Sequence, residues 1–98
     1  MPEKEEYVEI DYSQPEAEKL FVRVESLNNY KDVDKIIEHV RNNKLVFVRI
    51  KEIKKKSEAE LKKSVEKIKK FIESVEGDIV GVSDDLLVVA PRTVRILK

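Results

Sequence analysis

The stretch EGDIVGVSDDLLVVAPRTVRI, residues 76–96, constrains the fold more than any other part of the chain. It holds three short apolar runs, 78–82, 86–90 and 94–97, broken by a turn at Asp84 and Asp85 and a second at Pro91, Arg92 and Thr93. Strands with one wet face alternate apolar and polar residues, whereas these runs are apolar at nearly every position. Both of their faces therefore need cover. A chain of 98 residues has room for one core and buries only roughly two thirds of its unfolded surface, so the cover on the second face has to be found.

The preceding residues supply the rest of a sheet and two helices. LFVRVE, 20–25, alternates, with Leu20, Val22 and Val24 on one face and Phe21, Arg23 and Glu25 on the other. A helix follows, with Asp32 as its expected N-cap and Val33, Ile36, Ile37 and Val40 on one stripe; Asn42 and Asn43 end it, since asparagine tolerates the left-handed conformation of a helix exit. LVFVRI, 45–50, is a strand apolar on both faces. Ser57 to Glu60 has the spacing of a capping box, in which serine hydroxyl and glutamate carboxylate each satisfy a free backbone donor. Leu61, Val65, Ile68, Ile72 and Val75, with Phe71 beside them, form the stripe of this second helix, and Gly77 is the expected stop.

The order is βαβαβββ, an α/β chain with a five-stranded mixed sheet and parallel, right-handed first crossovers. The two helices can share one face of that sheet or take opposite faces. If they share one, the bare face measures about 24 by 17 Å, roughly 400 Å², from standard strand spacing and rise. An apolar patch of that size marks an interface, and at about 25 cal/mol per Å² its burial gives on the order of 10 kcal/mol gross, comparable with association costs. The natural cover is a second copy of the chain.

Charge divides along the sequence although the net is zero. Residues 1–19 carry seven acids against Lys4 and Lys19, and read as an acidic flexible tail before a core domain of residues 20–98. Within the tail only YVEIDY, with Val8, Ile10 and Tyr12 at period two, is suited to add to a sheet edge. Residues 51–70 invert the balance, with nine lysines against four glutamates. A solvated helix face is the ordinary meaning of such a run. Charged residues make up 41% of the chain, mostly Lys and Glu, a balance found in proteins that work hot. There is no cysteine, which excludes disulfides and thiolate metal sites. No apolar run is long enough to span a membrane, and no signal peptide is evident, so the expectation is a soluble chain.

Catalytic constellations are not evident. The glycines are Gly77 and Gly81 alone, too few for a phosphate-cradling loop. Ser83 beside Asp84 and Asp85 suits local turn hydrogen bonding, His39 flanks the first helix's stripe, and Asp32 and Asp34 are first-turn acids favoured by the helix dipole. The chain reads as non-enzymatic, without metal or cofactor. A small Alba-like nucleic-acid-binding protein is the alternative in outline, but such binders are strongly basic, whereas the sequence pI is 6.6. Phe21, Phe47 and Phe71 all sit at expected core positions rather than as stacking platforms.

The succession LFVRVESLNNYKDVDKIIEHVRNNKLVFVRI, a charged second helix and GDIVGVSDDLLVVAPRTVRI resembles the core domain of the SepF cell division family over residues 20–97. The most specific piece is the ending, Gly77, Asp78, Ile79, Val82, Leu86 to Val89, Pro91, Val94 and Ile96. The resemblance implies two helices packed on one face of the five-stranded sheet, a homodimer, and an adaptor that binds the C-terminal peptide of FtsZ and links the division ring to the inner face of the cytoplasmic membrane. Carried over by position, it points to Leu61 on the second helix, Gly81 on the third strand and Leu87 on the fourth as peptide-binding residues. Leu61 and Leu87 also suit plain core, and Gly81 a bulge. Lys62, Lys63 and Lys69 would rim the site and attract acidic residues of the peptide. Three features depart from the family: residues 1–19 lack the stripe and basic face of a membrane-binding amphipathic helix, so the anchor is expected from elsewhere; KKFIESVEG replaces a glycine-rich helix end, which places ring polymerisation in doubt; and Gly81 stands where relatives commonly carry lysine. The lysine-rich helix and missing glycines look archaeal.

Overall fold

In the computed structural model of the chain, residues 7–10 and 20–97 are described. In order they form β1 (Tyr7–Ile10), β2 (Phe21–Ser26), a 3-10 turn (Tyr30–Asp32), α1 (Val33–Arg41), β3 (Lys44–Arg49), α2 (Lys51–Lys56), α3 (Glu58–Ser74), β4 (Asp78–Ser83), β5 (Leu86–Ala90) and β6 (Val94–Leu97). β2 runs parallel to β3, while β5 is antiparallel to both β3 and β4, giving the strand order β2-β3-β5-β4. The helices pack against this mixed sheet, and all five expected strands of the core are present.

The last of them does not hydrogen-bond into the four-stranded sheet. β6 pairs instead with β1, antiparallel from Tyr7↔Leu97 to Ile10↔Val94. The turn between β5 and β6 closes with the Val94 amide donating to the Pro91 carbonyl at 3.1 Å. Proline has no N–H to extend the β5 ladder, and the chain turns out of the sheet plane there. Of the YVEIDY segment, Tyr7–Ile10 thus joins the last strand rather than the sheet edge, and residues 11 and 12 lie outside the described residues. The remainder of the expected acidic tail lies outside the described residues.

Strand register assigns the two faces. Val46, Val48, Leu87, Val89 and Ile79 point toward the helices and pack with Val33, Ile36, Ile37, Val40, Ile53, Ile68 and Ile72 in the main core. Both long helices therefore share one face. On the opposite face Leu45, Val88 and Ala90 are buried against Val94 and Ile96 of β6. The helix-free face is not wholly bare, since β6 covers part of it. What stays open is the β2 side, where Val22 and Val24, partners of Leu45 and Phe47, are 50% and 52% exposed.

Several helix ends differ from expectation in a way that local chemistry explains. The cap before α1 belongs to Asn29, whose Oδ1 accepts from the Lys31 amide at 3.0 Å. Asp32 makes no cap bond to α1 and instead accepts from the amides of Asn28 and Asn29. A 3-10 turn therefore precedes the helix, and its own N-cap lies three residues earlier. Asn43 takes the left-handed conformation, φ 66°, as expected of asparagine. At the end of α3 the left-handed residue is Glu76, φ 60°, rather than Gly77. The Gly77 amide closes the motif on the Ile72 carbonyl at 2.9 Å. Gly77 is required for another reason: a Cβ there would collide with the Ala90 carbonyl oxygen, where the chain enters β4 beside β5.

Candidate peptide-binding groove

The basic segment expected as one helix with a lead-in is two helices. Arg49 ends β3, and α2 turns at once with Ile53 fully buried and Lys51, Lys55 and Lys56 outward. Ser57 breaks the path: its φ of −165° is extended, and its hydroxyl oxygen accepts from the Glu60 amide at 3.1 Å to start α3. Two bonds hold α2 against the β4–β5 turn, Lys54 Nζ to the Asp84 carbonyl at 2.6 Å and the Ile50 amide to the Asp85 carbonyl at 2.9 Å.

The break leaves a groove along α3. An open depression is lined by Lys54, Glu58, Ala59, Leu61, Lys62, Val65, Glu66 and Lys69. Lys69 also borders a smaller depression reaching Ile72, Gly77, Asp78 and Ile79 at the start of β4. The apolar contribution arises because the buried line of α3 runs through Ser64, Ile68 and Ile72, not through Leu61 and Val65. Ser64, wholly buried, donates to the Glu60 carbonyl at 2.8 Å. A small polar residue at the core-facing position rolls the larger pair toward the surface. Leu61 and Val65 are half-buried and line the groove.

The three expected peptide-binding residues divide accordingly. Leu61 lies in the groove and also packs on the main core. Leu87, half-buried on β5, packs on the same core and pairs in register with Gly81 of β4. Gly81 is exposed, borders a bulge between Gly81 and Ser83, and has only Leu87 Cδ2, at 3.6 Å, near a Cβ built on it. The strand would accept a side chain there. Gly81 and Leu87 are thus brought together, while Leu61 shares with Leu87 a core and lies in the depression along α3.

Of the expected lysine rim, Lys62 and Lys69 line the groove. Lys63 does not: its Nζ sits 4.4 Å from the centre of the Tyr30 ring, with Lys67 at 5.1 Å over the same ring. Lys67 also binds Asp34 at 2.9 Å, and that hydrogen bond raises its pKa. Lys54, Glu58, Ala59 and Glu66 were missed in the sequence because the capping box marks Ser57 as a helix start without showing that residues 51–56 form a separate helix before it. With three lysines and two glutamates around Ala59, Leu61 and Val65, the groove suits an extended apolar segment carrying acidic residues.

A second polar cluster lies on β2, away from the groove. Glu25, its side chain 9% exposed, meets Arg23 at 3.0 Å, Lys35 at 3.4 Å and His39 Nε2 at 3.0 Å. Burial pushes its carboxyl up, but the hydrogen bonds from Arg23, Lys35 and His39 outweigh that and hold it below the ordinary 4.5. Among the described residues no group of three or more His, Cys, Asp or Glu is placed to hold a metal ion, and no helix is long and apolar enough to cross a membrane.

Known proteins share this fold. No curated protein sequence matches the chain. Among solved structures, a SepF-like protein from Archaeoglobus fulgidus is similar with a TM-score of 0.70 and 25% identity, over 74% of this chain and 87% of that one. A SepF-like protein from Pyrococcus furiosus shares the fold with a TM-score of 0.64 at 17% identity, over 76% and 89% of the two chains. So does the cell division protein SepF from Methanobrevibacter smithii, solved in complex with FtsZ-CTD, with a TM-score of 0.70 at 20% identity over 79% and 96%. The family described as cell division protein SepF matches residues 22–96, from β2 to the penultimate residue of β6 and including every element that builds the groove, and the chain belongs to that family.

Proposed function

We propose that the chain is a non-enzymatic cell-division adaptor that binds the C-terminal peptide of FtsZ in the groove along α3 and forms a homodimer through the helix-free side of its sheet. The observation that carries the peptide reading is the groove itself: Leu61 and Val65 rolled outward by Ser64, rimmed by Lys54, Lys62 and Lys69, in a chain of the SepF family. The M. smithii protein of the same fold, solved with FtsZ-CTD, supports the choice of ligand. Gly81 and Leu87 extend the binding surface across β4 and β5. For the dimer, the support is the open apolar surface of Val22 and Val24 beside the half-buried Phe47. In this reading the protein works at the inner face of the cytoplasmic membrane, with attachment supplied outside the described core.

Calorimetry with an FtsZ C-terminal peptide tests the adaptor directly. Binding is expected, with Leu87→Asp abolishing it and Lys69→Glu, an exposed change, weakening it about tenfold or more. A folded Leu87→Asp and Lys69→Glu pair that binds like the parent moves the site elsewhere, and a parent that does not bind removes the function. Sedimentation equilibrium showing only monomer removes the dimer.

A further inference from the structure

The two edges of the sheet are built differently. β4, at one end of the strand order, is interrupted by the bulge between Gly81 and Ser83 and begins with Asp78. Bulges and charges are the ordinary means of keeping an edge from pairing with another chain. β2, at the other end, has neither proline nor lysine, and its six residues pair with β3 without a register break. Phe21, Val22, Arg23 and Val24 are all exposed, on both faces of the strand. Such an edge is a template for strand addition.

One feature of β2 resists a strand partner, the inward carboxylate of Glu25. Its position also selects a partner. We propose that β2 pairs antiparallel with β2 of a second copy in the register that sets Val24 opposite Val24, so that Arg23 of each chain faces Glu25 of the other. The sequence FVRVES is self-complementary in that register alone: centring the pair one residue to either side sets Arg23 against Arg23 or Glu25 against Glu25, and like charges directly opposite destabilise a sheet. The Arg23 side chain, 51% exposed, can reach across, while Lys35 and His39 still hold Glu25. The pairing is independent of the helix-free face, because a strand edge and a sheet face point in perpendicular directions. Two separate two-fold contacts on one chain link dimers further, into a closed tetramer where the two axes intersect and into an extendable row where they do not.

Sedimentation velocity of the full chain over a concentration series separates the two contacts. The parent is expected to grow past the dimer as concentration rises. Phe47→Lys, which blocks the face, is expected to leave an edge-paired dimer; Arg23→Glu, which blocks the edge, is expected to stop growth at the face-paired dimer and to raise the edge dissociation constant about tenfold or more. Should Phe47→Lys fail to fold by circular dichroism, the milder Phe47→Gln at the same position, off the edge strand, replaces it. Arg23→Gln removes the charge without adding one; it is expected to weaken the edge as well and to abolish the loss of assembly that added salt causes in the parent. A folded Phe47→Lys protein that stays monomeric, or an Arg23→Glu protein that grows like the parent, overturns the edge pairing. A dimer that Phe47→Lys abolishes and Arg23→Glu leaves intact upholds the face and rejects the edge, whereas a parent that is monomeric throughout rejects both.

Discussion

Glu60 accepts a hydrogen bond from the backbone amide of Tyr30 at 2.8 Å, across thirty residues of sequence. The Ser57–Glu60 spacing forecasts a reciprocal box, and half of it forms, with the Ser57 hydroxyl accepting from the Glu60 amide. The Ser57 amide is already used, donating to the Ile53 carbonyl at the end of α2. The Glu60 carboxylate is thereby free to reach the 3-10 turn, and Lys63 and Lys67 close over the Tyr30 ring beside it. This contact ties the start of α3, and with it the groove, to the turn that leads into α1. Glu60→Ala is expected to lower stability by about 1.5 kcal/mol, the part-exposed carboxylate placing it low in the range for charge-assisted bonds. Urea unfolding of Glu60→Ala beside Glu60→Gln, which keeps an acceptor, checks this.

Glu76 holds a left-handed conformation that costs a residue with a Cβ about 1–2 kcal/mol. Glu76→Gly is expected to stabilise the chain by about 1 kcal/mol, the greater freedom of glycine in the unfolded chain offsetting the rest. Thermal melting should show a raised Tm.

The neighbouring position behaves oppositely. Gly77→Ala drives a methyl into the Ala90 carbonyl, a rigid backbone atom. A loss of about 2–3 kcal/mol is expected, because the strand entry has to shift as in other overpacked sites. An unfolding midpoint equal to that of the parent would show that β4 can move away from β5.

Acid should weaken the fold through Glu25. Its pKa is lower folded than its ordinary 4.5, so the unfolded chain binds the proton more readily. The stability it contributes is fully present above that ordinary value and is lost as pH falls through the depressed folded one. Glu25→Gln is expected to be less stable than the parent at neutral pH, and the gap to narrow on acidification into this window. Urea titrations of both proteins at neutral and acid pH measure it, and a constant gap would exclude the mechanism.

Gly81→Lys is expected to fold, since only Leu87 lies near its Cβ direction and an exposed strand position favours a side chain over glycine. A lysine there adds a cation beside Leu87. Under the proposed function it should tighten binding of an acidic FtsZ peptide several-fold at low salt and lose that gain at high salt, which calorimetry at two ionic strengths reads.

Much of the architecture was legible because period and turn chemistry are local. The apolar runs of 45–50 and 86–90, the stripe of Val33, Ile36, Ile37 and Val40, and the left-handed Asn43 all follow from residues within a turn or two of each other. The groove was legible only in part. Leu61 lines the depression along α3, where Val65 lies beside it instead of on the buried line of the helix, and Lys63 turns to Tyr30. Ser64 decides this, and a serine between a lysine and a valine does not announce in sequence that it will face the core.

What the sequence by itself determined is the set of elements, the both-sided apolarity of the central strands and the sharing of charge between segments, since each depends on side chains a few residues apart. Tertiary structure alone decided that β6 leaves the sheet to pair with β1, that β6 covers the β4–β5 side of the helix-free face and leaves Val22 and Val24 open, and that Glu60 serves Tyr30 instead of its own helix. Those outcomes depend on which distant group reaches an unsatisfied donor or an uncovered apolar surface first, and short-range periodicity carries no record of that competition.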